Sequence, residues 1–177
     1  MVKKQSKSQL LIVNLLIAIL ALGGGAIGCS SSNSLGLISA DTIAPDFTLP
    51  TMTGTEVTLS ALQGQPVVLN FWAIRCPPCR TELPYFDTAA KQYSDRVAIV
   101  AIDIQESVSL VKQFFGDSEV DFIVALDKNA QVASNYAIRY TPSTFFIDSQ
   151  GVIRYIKLGA FTNEQELQAS IEKLLNY

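Results

Sequence analysis

Between Gln65 and Ala73 the chain reads QPVVLNFWA, apolar at almost every position, and residues 97–104 (VAIVAIDI) repeat that texture. Short apolar runs without polar alternation predict strands buried on both faces. Residues 80–93 change period: Leu83, Phe86, Ala89, Ala90 and Tyr93 fall on one helical face. A shorter helix is predicted over 108–115, with Val111, Phe114 and Phe115 inward. A strand over 121–126 and a helix over 130–136 come next. Residues 144–147 and 152–158 flank the turn Asp148-Ser149-Gln150-Gly151 and predict an antiparallel pair. Thr162-Asn163-Glu164-Gln165 has capping-box spacing and opens a last helix ending near Asn176. Ahead of all these, residues 44–49 and 56–59 flank a turn at Thr53-Gly54, a short N-terminal β-hairpin. Strands alternating with helices, then a closing hairpin and helix, predict an α/β fold with a mixed sheet covered on both faces.

The first 29 residues have another pattern. Lys3, Lys4 and Lys7 precede an uncharged run over 10–27, with small residues from Gly23 to Gly28 closing it. Basic start, apolar middle and small-residue end make an export signal. The basic flank stays on the cytoplasmic side and places the rest of the chain outside the cytoplasm. Ala26-Ile27-Gly28-Cys29, succeeded by three serines, resembles a bacterial lipoprotein signal, in which the Cys is lipidated; Ala26 stands where that pattern usually has Leu. An uncleaved membrane anchor is the alternative reading of the run, and a Cys that merely belongs to the apolar segment is the plainest one. Residues 30–40 are small, polar and aperiodic, a flexible tether, and the folded domain is expected over 41–177.

Charge narrows the partners. Removing the three N-terminal lysines from the 13 basic residues leaves 10 against 16 acidic ones, a net of −6. No Lys/Arg cluster is present, which argues against nucleic acid. The chain has no histidine, so Cys–His and Ser–His nucleophile pairs are excluded, as are most imidazole-based zinc sites.

Of three cysteines, Cys76 and Cys79 form a C-x-x-C where a predicted buried strand passes into a predicted helix. Two sulfurs at that spacing can meet in a small ring, and a helix N-terminus favours the thiolate of the first. Cys76 then has the nucleophile's place and Cys79 the resolving one. As a structural staple so small a loop removes little chain entropy. Arg75 adjoins Cys76 and either lowers its pKa or is a solvated surface charge. Glu82, three residues after Cys79, shares its helical face; a buried carboxyl there would accept the resolving thiol's proton, whereas an exposed one would be inert.

Phe71-Trp72-Ala73-Ile74-Arg75-Cys76-Pro77-Pro78-Cys79 resembles the thioredoxin active site, and the chain from Ala44-Pro45-Asp46-Phe47 to the last helix is similar to the ResA/TlpA group of membrane-anchored thiol–disulfide oxidoreductases. The resemblance implies a thioredoxin-like fold with an inserted strand–helix segment, residues 121–136 here. It implies reduction of protein disulfides, with apocytochrome c a possible client, a membrane thiol carrier as electron donor, and no cofactor beyond the redox-active pair. It also implies that Thr141-Pro142 is a cis-proline pair facing the cysteines and pairing with substrate. By the same resemblance Glu82 tunes the thiols, Pro84 kinks the helix, and the place of Arg75 is at the substrate surface; Trp72 is expected to pack beside the active site and to contact substrate there. Two positions depart from the pattern. Thioredoxin's buried aspartate is Asn70, which cannot take a proton, and the residue before the first Cys, usually Trp in the group, is Arg75. Two rival readings remain open. A peroxiredoxin can share the Ala44-Pro45-Asp46-Phe47 opening but normally has Thr or Ser where Ala73 stands. A non-catalytic metal- or haem-handling module could use the same two thiols.

Overall fold

A computed structural model describes residues 38–177 of the chain. The expected export signal, Cys29 and most of the expected tether lie outside those residues. Among the described residues no helix is long and apolar enough to cross a membrane.

The two apolar runs become the centre of the sheet. Val67–Trp72 (β4) and Ala98–Ile104 (β5) pair in parallel, and all six β4 residues are buried. Ile123–Asp127 (β6) extends the parallel side from β5. Ser143–Ile147 (β7) lies antiparallel on the other side of β4, and Val152–Leu158 (β8) antiparallel to β7. A two-residue strand, Thr42–Ile43 (β1), which the polar/apolar pattern does not mark, completes a six-stranded sheet of order β1-β8-β7-β4-β5-β6. Thr48–Pro50 (β2) and Glu56–Thr58 (β3) form the expected hairpin as a separate two-stranded sheet. It is tied to the β6 edge by a Thr51–Ala125 bridge and by the Met52 N–H donating to Val124 O at 2.8 Å. A 3-10 turn, Leu59–Leu62, comes after β3.

Alternate residues of β4 serve opposite faces. Val68 and Trp72 join a core with Phe86, Val111, Leu167 and Ile171, carried by helices Pro77–Gln92 (α1), Val108–Phe115 (α2) and Glu164–Leu174 (α4). Leu69 and Phe71 join another with Val100, Phe145 and Tyr136, just beyond helix Gln131–Asn135 (α3), and with Phe47 and Leu49 of the N-terminal segment. The Tyr136 hydroxyl donates to Pro45 O at 2.8 Å and fastens that segment over the second face. Both faces are therefore covered, as expected, and the inserted segment is β6 with α3 at the parallel edge.

Two boundaries move. Helix α1 starts at Pro77, not at residue 80, because a proline lacking an N–H suits the first helical turn; it continues through Pro84 to Gln92. Helix α4 is capped one residue later than the Thr162–Gln165 spacing predicts. Asn163 Oδ1 accepts the Glu166 N–H at 2.9 Å, and the Glu166 carboxylate accepts the Thr162 N–H at 2.8 Å. Asn caps at least as well as Thr, and shifting the frame puts a true carboxylate, not Gln165, at the reciprocal position.

Candidate active site

Strand β4 ends at Trp72, and four residues later Cys76 caps α1. Pro77 and Pro78 occupy the first two helical positions and have no N–H to offer, so Cys79 supplies the first amide donor of the helix. That N–H points at Cys76 Sγ, 3.3 Å away. The two sulfurs are joined in a disulfide across a Cα separation of 5.3 Å. Their surroundings differ sharply: Cys76 is half-buried, whereas Cys79 is 0% exposed. The Thr141–Pro142 peptide is cis, and the Thr141 carbonyl oxygen lies 3.5 Å from Cys76 Sγ. The β7 entrance and the N-terminus of α1 thus meet at the accessible sulfur.

One turn beyond Cys79, Glu82 is 0% exposed. Its Oε1 accepts from Asn70 Nδ2 at 3.1 Å and its Oε2 from the Phe161 N–H at 2.8 Å. Burial, the largest influence, penalises the carboxylate; the Phe161 amide, Asn70 and Lys157 oppose it, and the balance raises the pKa to about 7. Asn70 comes from the middle of β4 and also donates to Thr144 Oγ1 at 3.0 Å, while its Oδ1 has no partner among the described residues. A half-turn of that amide presents Oδ1 to the same two neighbours, where it accepts from a protonated Glu82. Asn70 is thus suited to both protonation states of Glu82, although it carries no proton of its own.

Beneath the loop lies a pair of carboxyl groups, Asp103 and Glu106, which the residue pattern does not single out. The Ile74 N–H donates to Glu106 Oε2 at 2.8 Å, and Arg75 Nη1 lies 3.8 Å from Glu106 Oε1. The Glu106 N–H donates to Asp103 Oδ1 at 3.3 Å; Asp103 is fully buried on β5, and its Oδ2 has no partner among the described residues. Burial first, then the neighbouring Glu106 carboxyl, hold the Asp103 carboxyl far above its ordinary range. Gln105, with φ of 65°, makes the left-handed turn between them. One signal is visible in the chain itself: Asp103 is the single charge inside the apolar run 97–104, and loops at the carboxyl ends of parallel strands often carry sites. Arg139 and Tyr140, just before the cis-proline pair, are not marked either, since exposed loop residues leave no periodic trace.

The predicted site residues divide between a cluster and its margins. Cys76, Cys79, Glu82, Thr141 and Pro142 come together around the disulfide. Arg75 is at the surface, its side chain 64% exposed, with the guanidinium facing Glu106. Trp72 corrects the expectation of a substrate contact. It is 0% exposed, packed against Phe114 and Phe115, and forms the floor under the site, because its β4 position faces α2. Among the described residues no group of three or more His, Cys, Asp or Glu side chains is placed to hold a metal ion.

Comparison with known proteins agrees with this geometry. The AhpC/TSA family profile matches residues 40–156. The thiol-disulfide oxidoreductase ResA of Bacillus subtilis is 37% identical over 126 residues, covering 71% of this chain and 70% of that protein. The thioredoxin-like protein YneN of the same organism is 34% identical over 125 residues, 69% and 73% of the two chains. Among solved structures, a Chlorobium tepidum protein assigned as a thiol:disulfide interchange protein DsbE superposes with a TM-score of 0.72 at 30% identity, covering 79% of this chain and 99% of that one. Fold, disulfide and relatives agree: the chain belongs to the ResA-like thiol-disulfide oxidoreductases of the thioredoxin superfamily, within the AhpC/TSA family.

Proposed function

We propose that this oxidoreductase is held at the outer face of a cell membrane and works as a reductant of protein disulfides. The observation that carries the reading is the asymmetry of the pair: an accessible Cys76 sulfur at a helix N-terminus above a fully buried Cys79 and a buried Glu82. In the reduced protein the Cys76 thiolate attacks one sulfur of a client disulfide and displaces the other as a thiolate, giving a mixed disulfide. Glu82 accepts the Cys79 proton; the Cys79 thiolate attacks Cys76 Sγ, the client sulfur bonded to Cys76 leaves as a thiolate, and the Cys76–Cys79 disulfide forms. Two electrons pass to the client. Thr141 offers backbone pairing to the client chain beside the cis-proline, and a membrane thiol carrier returns the electrons. From the family resemblance the proposed client is apocytochrome c; lipidated Cys29, or the uncleaved apolar run, is the proposed anchor.

Replacing the resolving thiol tests this directly. Cys79→Ser should accumulate a mixed disulfide through Cys76, with apocytochrome c recovered from it, and Cys76→Ser should accumulate none. Capture of other exported proteins without cytochrome would keep the exchange chemistry and remove the client. No capture at all would remove the mechanism. The AhpC/TSA match favours one second reading, peroxide reduction at Cys76. Ala73, 1% exposed, brings no hydroxyl to the place where peroxiredoxins normally have one. Rapid consumption of hydrogen peroxide by the reduced protein would establish that reading.

A further inference from the structure

Beside the accessible sulfur lies a cleft of about 440 Å³ whose walls include Arg75, Gln105, Ser134, Arg139, Tyr140 and Thr141. It touches the reacting centre twice: Arg75 precedes Cys76 in the chain, and the Thr141 carbonyl lies 3.5 Å from Cys76 Sγ. Among the described residues two guanidinium groups line it and no carboxylate does, on a chain that is net acidic beyond its three N-terminal lysines. Arg139 has no acidic group within salt-bridge reach among the described residues, and Arg75 has only Glu106, at 3.8 Å.

The backbone that carries Arg139 is held on both sides. The Ile138 N–H donates to Ala133 O at 2.9 Å, the Ser143 hydroxyl donates to Tyr140 O at 2.8 Å, and the half-buried Ile138 packs into the second core. Arg139 is therefore offered to solvent from a fixed loop. Tyr140 beside it is 63% exposed, a large aromatic surface at the mouth of the site. A guanidinium matches a carboxylate with two parallel N–H donors, and an aromatic shelf takes an extended chain.

We infer that the cleft selects protein clients that carry an Asp or Glu side chain next to the attacked cysteine, with the carboxylate received by Arg139 and Arg75. The inference rests on the disulfide-exchange reading above and adds to it a charge rule for the client.

The test uses the reduced full-length protein and three probes: uncharged bis(2-hydroxyethyl) disulfide, and two disulfide-closed peptides identical except for Asp or Lys after the attacked cysteine. The Asp peptide should be reduced about tenfold faster than the Lys peptide at low salt, and the gap should close as ionic strength rises. Arg139→Gln should narrow the ratio and Arg139→Glu should reverse it; because the ratio is taken within one variant, a general loss of rate does not imitate either result. If the hydroxyethyl disulfide is reduced but the peptides react alike, or if the ratio survives Arg139→Glu, the charge rule is wrong and the exchange reading stands. If none of the three probes is reduced, the exchange reading falls and the charge rule with it.

Discussion

Glu82 shows how one side chain links burial to chemistry. Unfolded, its carboxyl titrates near 4.5; folded, burial moves the value to about 7. Between those values the folded protein holds a proton that the unfolded chain has released. Stability conferred at this position therefore falls as pH rises through that window and levels off above it, a loss of roughly 3 kcal/mol at most. Glu82→Gln carries no such titration. Urea unfolding of the oxidised protein at pH 5 and pH 8 should show the variant gaining on the wild type at the higher pH; parallel changes in both proteins would contradict the assignment. The same proton is available for exchange near neutrality, which a carboxyl of ordinary pKa is not. The spacing of Glu82 from Cys79 was legible in the sequence, and so was its helical face. Its double anchoring to Asn70 and the Phe161 amide was not, because those partners lie 12 and 79 residues away along the chain.

At the scale of elements, the site is made where three of them end: β4 runs into α1, β5 turns into α2, and the cis-proline pair leads into β7. The β5–α2 turn fixes the first of these through Glu106 and the Ile74 N–H, 2.8 Å apart. Glu106→Ala leaves that partly buried amide without an acceptor and should cost about 1–2 kcal/mol in urea unfolding. Glu106→Gln keeps an acceptor oxygen and should remain close to the wild type; equal losses in both variants would mean that the loop does not depend on this bond. The long elements were readable because their patterns are strong. Buried β4 and β5 are nearly unbroken apolar runs, and α1 places Leu83, Phe86 and Ala90 on one stripe. Strand β1 was not readable: two residues carry no period, and its pairing with β8 is a contact made across more than a hundred residues. The shifted cap of α4 was hidden for a different reason, since two overlapping capping frames occur in Thr162 to Glu166 and only packing chooses between them.

For the molecule as a whole, the α/β class and the nucleophile pair could be read from the residues, and the cis-proline pair from the family resemblance they carry. Half of the Trp72 reading could not: packing beside the site was expected, but strand alternation turns the ring toward α2 and the core and away from the expected substrate surface. The cleft with Arg139 was equally hidden, because surface loops are brought together by topology and not by pattern. Attachment to a membrane is a prediction at this scale. Cys29→Ser should release the protein into the soluble extracytoplasmic fraction; retention of the variant at the membrane would favour the uncleaved apolar run as anchor. Direction of electron flow belongs to the whole molecule too, since it depends on every group that stabilises the Cys76 thiolate against the disulfide. The most direct measurement is the reduction potential of the Cys76–Cys79 couple in the full-length protein, equilibrated in graded thiol–disulfide buffers and scored by alkylation of free thiols. Action as a reductant requires a low value, near the roughly −270 mV typical of thioredoxin. A value near the roughly −120 mV of a strong periplasmic oxidant would contradict it and make this protein a donor of disulfides.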